Sequence, residues 1–153
     1  MSEHLAAAVF DHVGLSVSDL AAATEWWCRA LGLRPEYRVE PPGADLTGVM
    51  LVHPSGFRVE LLHRPGSAPG LAPAGPLEAA AHRGYGHLCL CVPDVPGAFA
   101  ELVAAGATPR RAPEPSPARP GALTAFLADG DGNLIEILDR PGSAACPRPH
   151  PSG

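Results

Sequence analysis

The feature that most constrains this chain is that it contains one pattern twice. His12-Val13-Gly14-Leu15-Ser16-Val17-Ser18-Asp19-Leu20 aligns with His87-Leu88-Cys89-Leu90-Cys91-Val92-Pro93-Asp94-Val95. Ala30-Leu31-Gly32-Leu33-Arg34-Pro35 aligns with Ala104-Ala105-Gly106-Ala107-Thr108-Pro109. Gly56-Phe57-Arg58-Val59-Glu60-Leu61-Leu62 aligns with Gly132-Asn133-Leu134-Ile135-Glu136-Ile137-Leu138. Each copy therefore opens on a histidine and closes on a glutamate, 48 residues apart in the first and 49 in the second. A repeat of this length implies two copies of one supersecondary unit.

Within each copy the hydrophobic period changes from two to that of a helix and back. Residues 9–17 alternate as a strand, with Val13, Leu15 and Val17 on one face and His12, Gly14 and Ser16 on the other. Ser18-Asp19 is a helix N-cap pair, and Gly32 suits the left-handed position that ends a helix over 20–31. Strands near 33–40, 46–53 and 57–63 follow, separated by Pro- and Gly-rich turns. The second copy predicts a strand at 85–92, a helix over 95–105 capped by Asp94, and strands near 108–111, 122–128 and 133–139. A Pro-rich loop is expected at 112–121. The domain expected is residues 1–141, with modules at 8–64 and 85–140, a Pro/Gly/Ala linker at 65–84 and a flexible tail at 142–153.

Composition narrows the function. The chain is 46% hydrophobic and 18% charged, which is globular. Its net charge of −5 and its lack of a basic stripe argue against a nucleic-acid surface. All 11 basic residues are arginines, which removes lysine Schiff-base chemistry and a Walker-type phosphate loop. The N-terminal residues carry no secretory pattern and no apolar run is long enough for a bilayer, so a cytoplasmic protein with reduced thiols is expected. Cys89 and Cys91 are expected to be small buried hydrophobes sharing one strand face.

The chemistry is expected at four residues. Glu60 lies in Val-Glu-Leu-Leu and Glu136 in Leu-Ile-Glu-Ile-Leu, where a carboxylate is costly unless compensated. Two such carboxylates and two strand histidines, at equivalent places in a repeat, share one explanation in a bound divalent cation. The metal ligands expected are His12, Glu60, His87 and Glu136. Two imidazoles and two carboxylates suit Zn, Ni, Co, Mn or Fe(II). Trp26 and Trp27 are expected in the core or at a dimer contact.

The segments FDHVGLSVSDLAAATEWWCRALGL, FRVELL, GYGHLCLCVPDV and DGDGNLIEIL together resemble the vicinal oxygen chelate superfamily, over about residues 8–140. That group includes glyoxalase I, methylmalonyl-CoA epimerase, fosfomycin-modifying enzymes, extradiol dioxygenases and bleomycin-resistance proteins. The resemblance implies an α+β fold of two tandem βαβββ modules, each curling half a barrel around a metal cleft, and a homodimer. It implies a small-molecule substrate with vicinal oxygens and no membrane partner. The ligand pattern is closest to glyoxalase I, at positions matched by His12, Glu60, His87 and Glu136. Four protein ligands on a six-coordinate ion leave two positions, which suits a chelating substrate and its enediolate or enolate. Glu136 is then the favoured base for a carbon-bound proton, with Glu60 the other candidate. The alternatives are a non-haem Fe(II) oxygenase using His12, His87 and Glu136, and a non-catalytic antibiotic-type binding protein.

Overall fold

A computed structural model describes residues 6–143 of the chain. His4, Cys146, His150 and most of the expected tail lie outside the described residues. The chain forms two compact units that divide after Ser67.

The first unit runs β1 (His12–Ser16), α1 (Leu20–Leu31), β2 (Arg34–Val39), β3 (Thr47–Val52) and β4 (Arg58–His63). Its sheet order is β1-β4-β3-β2, with β1 and β4 parallel and the other pairs antiparallel. The second unit begins with a short helix α2 (Pro76–Ala80) and continues with β5 (Leu88–Cys91), α3 (Val95–Ala104), β6 (Thr108–Pro115), β7 (Leu123–Ala128) and β8 (Leu134–Leu138). Its sheet order, β5-β8-β7-β6, is the same topology. The α+β architecture and the paired βαβββ modules expected from the repeat are therefore present. Among the described residues no helix is long and apolar enough to cross a membrane.

Local chemistry explains where the elements start and stop. The Asp19 side chain accepts the Ala22 N–H at 2.9 Å, and Asp94 accepts that of Gly97 at 3.2 Å, which satisfies orphan donors at the first turns of α1 and α3. Helix α1 ends at Gly32, whose φ of 66° is strained for any residue carrying a Cβ. The crossover from β1 through α1 places the helix against β2, β3 and β4, and α3 covers β6, β7 and β8 in the same way. Each helix thus covers one face of its own sheet and leaves the other face for chemistry.

The helix-facing side carries the core. In the first unit Trp27, Leu51, Val59 and Leu61 are all fully buried, as are Ala125, Leu127 and Ile137 in the second. Burying a side chain of the Leu or Trp class contributes about 1.5–3 kcal/mol. Trp26 and Trp27 meet edge to face at 5.4 Å, with Trp27 in the core as expected.

Three expectations need correction. First, β6 extends to Pro115, so the strand runs into the segment read as a Pro-rich loop. It is an edge strand with register shifts at Pro109–Arg111 and Arg111–Glu114, and an edge tolerates prolines because one side of it needs no donors. Second, Cys89 and Cys91 share a face, but it is the exposed one. Third, Cys91 is disulfide-bonded, whereas Cys28 and Cys89 are free as anticipated.

Candidate metal centre

Residues paired in register on neighbouring strands point to the same face of a sheet. In the first unit His12 pairs with Arg58, Gly14 with Glu60, and Met50 with Glu60 from the other side. His12 and Glu60 thus lie on the face away from α1. His12 Nε2 is 3.5 Å from Glu60 Oε2. Opposite Glu60 stands Gly14, where a Cβ would lie in van der Waals contact with Glu60 Oε2, 3.4 Å away.

The histidine is held from behind. His12 Nδ1 is 2.7 Å from Asp11 Oδ1. That hydrogen bond, with help from Arg58, holds the Asp11 carboxyl below the usual aspartate range, so it is ionised and accepts. The proton therefore belongs on Nδ1, and Nε2 keeps its lone pair toward Glu60. Arg58 is itself gripped in a two-pronged pair with Glu36, Nε to Oε2 at 2.7 Å and Nη2 to Oε1 at 3.1 Å. That pairing commits the Arg58 guanidinium to Glu36.

In the second unit His87 sits one residue before β5, and its Nε2 is 3.0 Å from Glu136 Oε2. Its ring meets Phe126 edge to face, with centroids 5.7 Å apart. Cys89 and Phe126 flank Glu136 in register. Thr124, only 2% exposed, donates from Oγ1 to Glu136 Oε1 at 2.8 Å. Although Cys89 lies on the exposed face, the atoms packed around its sulfur and the adjacent Glu136 charge push the thiol up to about 12, so it stays protonated.

The donor set fits a divalent cation. With bonds of about 2.1 Å, two ligands of one ion lie about 3.0 Å apart at right angles and about 3.4 Å apart in a tetrahedron. The two His–Glu separations, 3.0 and 3.5 Å, match those edges. Both carboxylates are sheltered, with side chains 20% exposed at Glu60 and 16% at Glu136. Among the described residues no three ligand-type side chains gather where they could hold one ion, so what each module offers is a pair.

The structure brings His12 beside Glu60 and His87 beside Glu136, and the residues around each pair were not anticipated from the sequence. Asp11 was visible as a carboxylate beside His12. Thr124 had no such signal, because its contact depends on strand order and register. Two other described histidines, His53 and His63, are committed elsewhere. His53 stacks on Phe57 and bonds Ser55. His63 Nδ1 donates to the Val17 carbonyl at 3.2 Å, which ties the end of β4 to β1.

Two βαβββ modules, each carrying a His–Glu pair on the face its helix leaves open, define the class of protein. The chain belongs to the Glyoxalase/Bleomycin resistance protein/Dioxygenase superfamily, whose model matches residues 9–137. It is 32% identical over 129 residues to a protein of Cereibacter sphaeroides named ethylmalonyl-CoA/methylmalonyl-CoA epimerase, covering 83% of this chain and 94% of that one. In fold it is similar to a glyoxylase/bleomycin resistance protein/dioxygenase domain from Frankia sp. EAN1pec, with a TM-score of 0.70 at 22% identity, covering 89% of this chain and 95% of that one. It is also similar to glyoxalase I from Zea mays, with a TM-score of 0.66 at 22% identity, covering 84% of this chain and 43% of that one.

Proposed function

We propose that the chain is a divalent-metal-dependent isomerase that moves a proton on the carbon next to a carbonyl. The epimerisation of a 2-alkylmalonyl-CoA thioester is the reaction the comparisons favour. The observation that carries this reading is the repeated convergence of an imidazole Nε2 and a carboxylate oxygen, once in each module. His12, Glu60, His87 and Glu136 are the ligands of one cation on this reading. A divalent cation bound there would supply Lewis-acid stabilisation of the negative charge that develops on the carbonyl oxygens when the neighbouring C–H is deprotonated.

The protein supplies the remainder. Two strand carboxylates, Glu60 and Glu136, are available for the proton. Asp11 keeps the His12 ring in one tautomer, and Phe126 restricts the His87 ring. The malonyl carbon is a suitable substrate because a thioester and a carboxylate flank its C–H, which makes that proton unusually acidic for carbon.

The test is to incubate the metal-loaded protein with one enantiomer of methylmalonyl-CoA in D₂O. Deuterium at C2 with loss of optical activity, abolished by a chelator and restored by Co(II) or Zn(II), is the expected result. No exchange at C2 with the metal bound overturns the epimerase reading. Substrate-dependent O₂ uptake with ring-diol substrates would move the assignment to the oxygenase.

A further inference from the structure

The edge strands β2 and β6 each carry a bulge at the same place in the repeat. The register of β2 against β3 shifts between Pro35 and Tyr37, and that of β6 against β7 between Pro109 and Arg111. The bulged residues, Glu36 and Arg110, are therefore equivalent, and they carry opposite charge. In the first unit Glu36 reaches the guanidinium of Arg58, at the start of β4 on the open face, and is neutralised there. The residue equivalent to Arg58 is Leu134, which is buried with Phe126 and Ala79 in an apolar cluster. The second unit has thus exchanged the acid for a base, and a leucine stands where the counter-charge would be.

Arg110 is left without a partner. Its Nε is buried, yet it meets no hydrogen-bond acceptor among the described residues. Its guanidinium makes no ion pair among them either. The acid on the same strand, Glu114, is taken by Arg111 at 2.7 Å. A buried donor without an acceptor is costly and rare, and a cation in that state still more so. The identity of the free atom is informative as well. Arg58 holds Glu36 through the edge formed by Nε and Nη2, with one bond to each oxygen. Nε of Arg110 belongs to that same edge. An anion with two oxygens in one plane satisfies such an edge with parallel bonds, and apolar surroundings strengthen the pair.

We infer that Arg110 is a carboxylate-binding residue on the open face of the second unit. A ligand's carboxylate takes there the place that Glu36 takes on Arg58. The class is a carboxylate and not a phosphate, because a phosphate dianion would leave one charge uncompensated beside the apolar cluster. Arg111 is in register with Phe126 and Phe126 with Glu136, so the site shares the face of Glu136, two strands away or about 10 Å between backbones. The inference uses the second unit alone and is independent of the isomerase reading.

The experiment follows the Nε–Hε resonance of Arg110 in the isotope-labelled full chain during titration with methylmalonate, as purified and again with a chelator present. The resonance is identified by its loss in Arg110→Lys. A saturable shift is expected, half complete at roughly millimolar methylmalonate and unaffected by the chelator. The dimethyl ester, which has no carboxylate, should leave the resonance in place, and inorganic phosphate should bind roughly tenfold more weakly. Affinity measured by calorimetry should fall roughly tenfold or more in Arg110→Gln and about threefold or more in Arg110→Lys, which keeps the charge but not the fork. It should change by less than about twofold in Arg111→Gln, whose surface pair lies outside the site. The wild-type shift is read whether or not the variants fold. No saturable shift, a shift abolished by the chelator, phosphate bound as tightly as methylmalonate, or equal affinity in a folded Arg110→Gln each overturns the inference. None of these outcomes bears on proton exchange at C2, which tests the isomerase reading separately.

Discussion

Asp11 Oδ1 lies 2.7 Å from Nδ1 of the very next residue, His12, so the chain carries the orienting carboxylate and its histidine side by side. Gly86, at the corresponding place before His87, has no side chain to do the same. The two histidines are consequently held by different means, one by a charge-assisted hydrogen bond and the other by the edge of Phe126. Asp11→Asn should reduce metal affinity about 10- to 100-fold with little change in melting temperature, because an amide no longer enforces the Nδ1–H tautomer as strongly. Chelator competition read beside a thermal melt checks this, and an unchanged affinity would show that His12 orients itself.

The crowding at Gly48 makes a steric prediction. Gly48→Ala places a methyl against the Leu61 carbonyl, which is backbone and cannot swing aside. A loss of about 1–3 kcal/mol is expected, measured by urea unfolding. Stability equal to wild type would mean that β3 and β4 can separate locally without cost.

Trp27 is fully buried, and among the described residues its indole Nε1 has no hydrogen-bond partner. Its contribution is therefore one of volume. Trp27→Ala should cost about 3–5 kcal/mol, whereas Trp27→Phe, which discards an unsatisfied N–H along with part of the ring, should cost clearly less. Equal losses in the two variants would count against this account.

The Glu36–Arg58 pair sets a pH response. The Arg58 hydrogen bond, reinforced by its charge, holds the Glu36 carboxyl below its ordinary value of 4.5. A depressed carboxyl contributes its stability above the ordinary value and loses it as pH falls through the folded one. Carbon-detected NMR titration should place the Glu36 midpoint below 4.5, and Arg58→Gln should return it toward that value. The group is at the surface, so the effect on global stability should be small.

Much of the fold was legible because strand periodicity, aspartate caps and a glycine helix stop recur in both copies. His12 lies beside Glu60, and His87 beside Glu136, because the first and last strands of each module are neighbours. The contacts of Thr124 were not legible. Nothing local says which strand lies beside β8 or in what register, and a slip of one residue would turn Thr124 to the other face. The cysteines failed for a related reason. Alternation shows that Cys89 and Cys91 share a face, but not which face the helix covers. The prolines of β6 read as a loop because proline opposes strands in general, and only the sheet order shows that this strand is at an edge.

The parallel pairing of β1 with β4 also bears on how the protein is made. In each module the histidine belongs to the first segment synthesised and the glutamate to the last, and they meet only when the final strand adds to the first. On the proposed reading the pair marks a finished module: a chain cut short, or one whose last strand has not docked, presents the histidine without the glutamate that lies beside it in the fold.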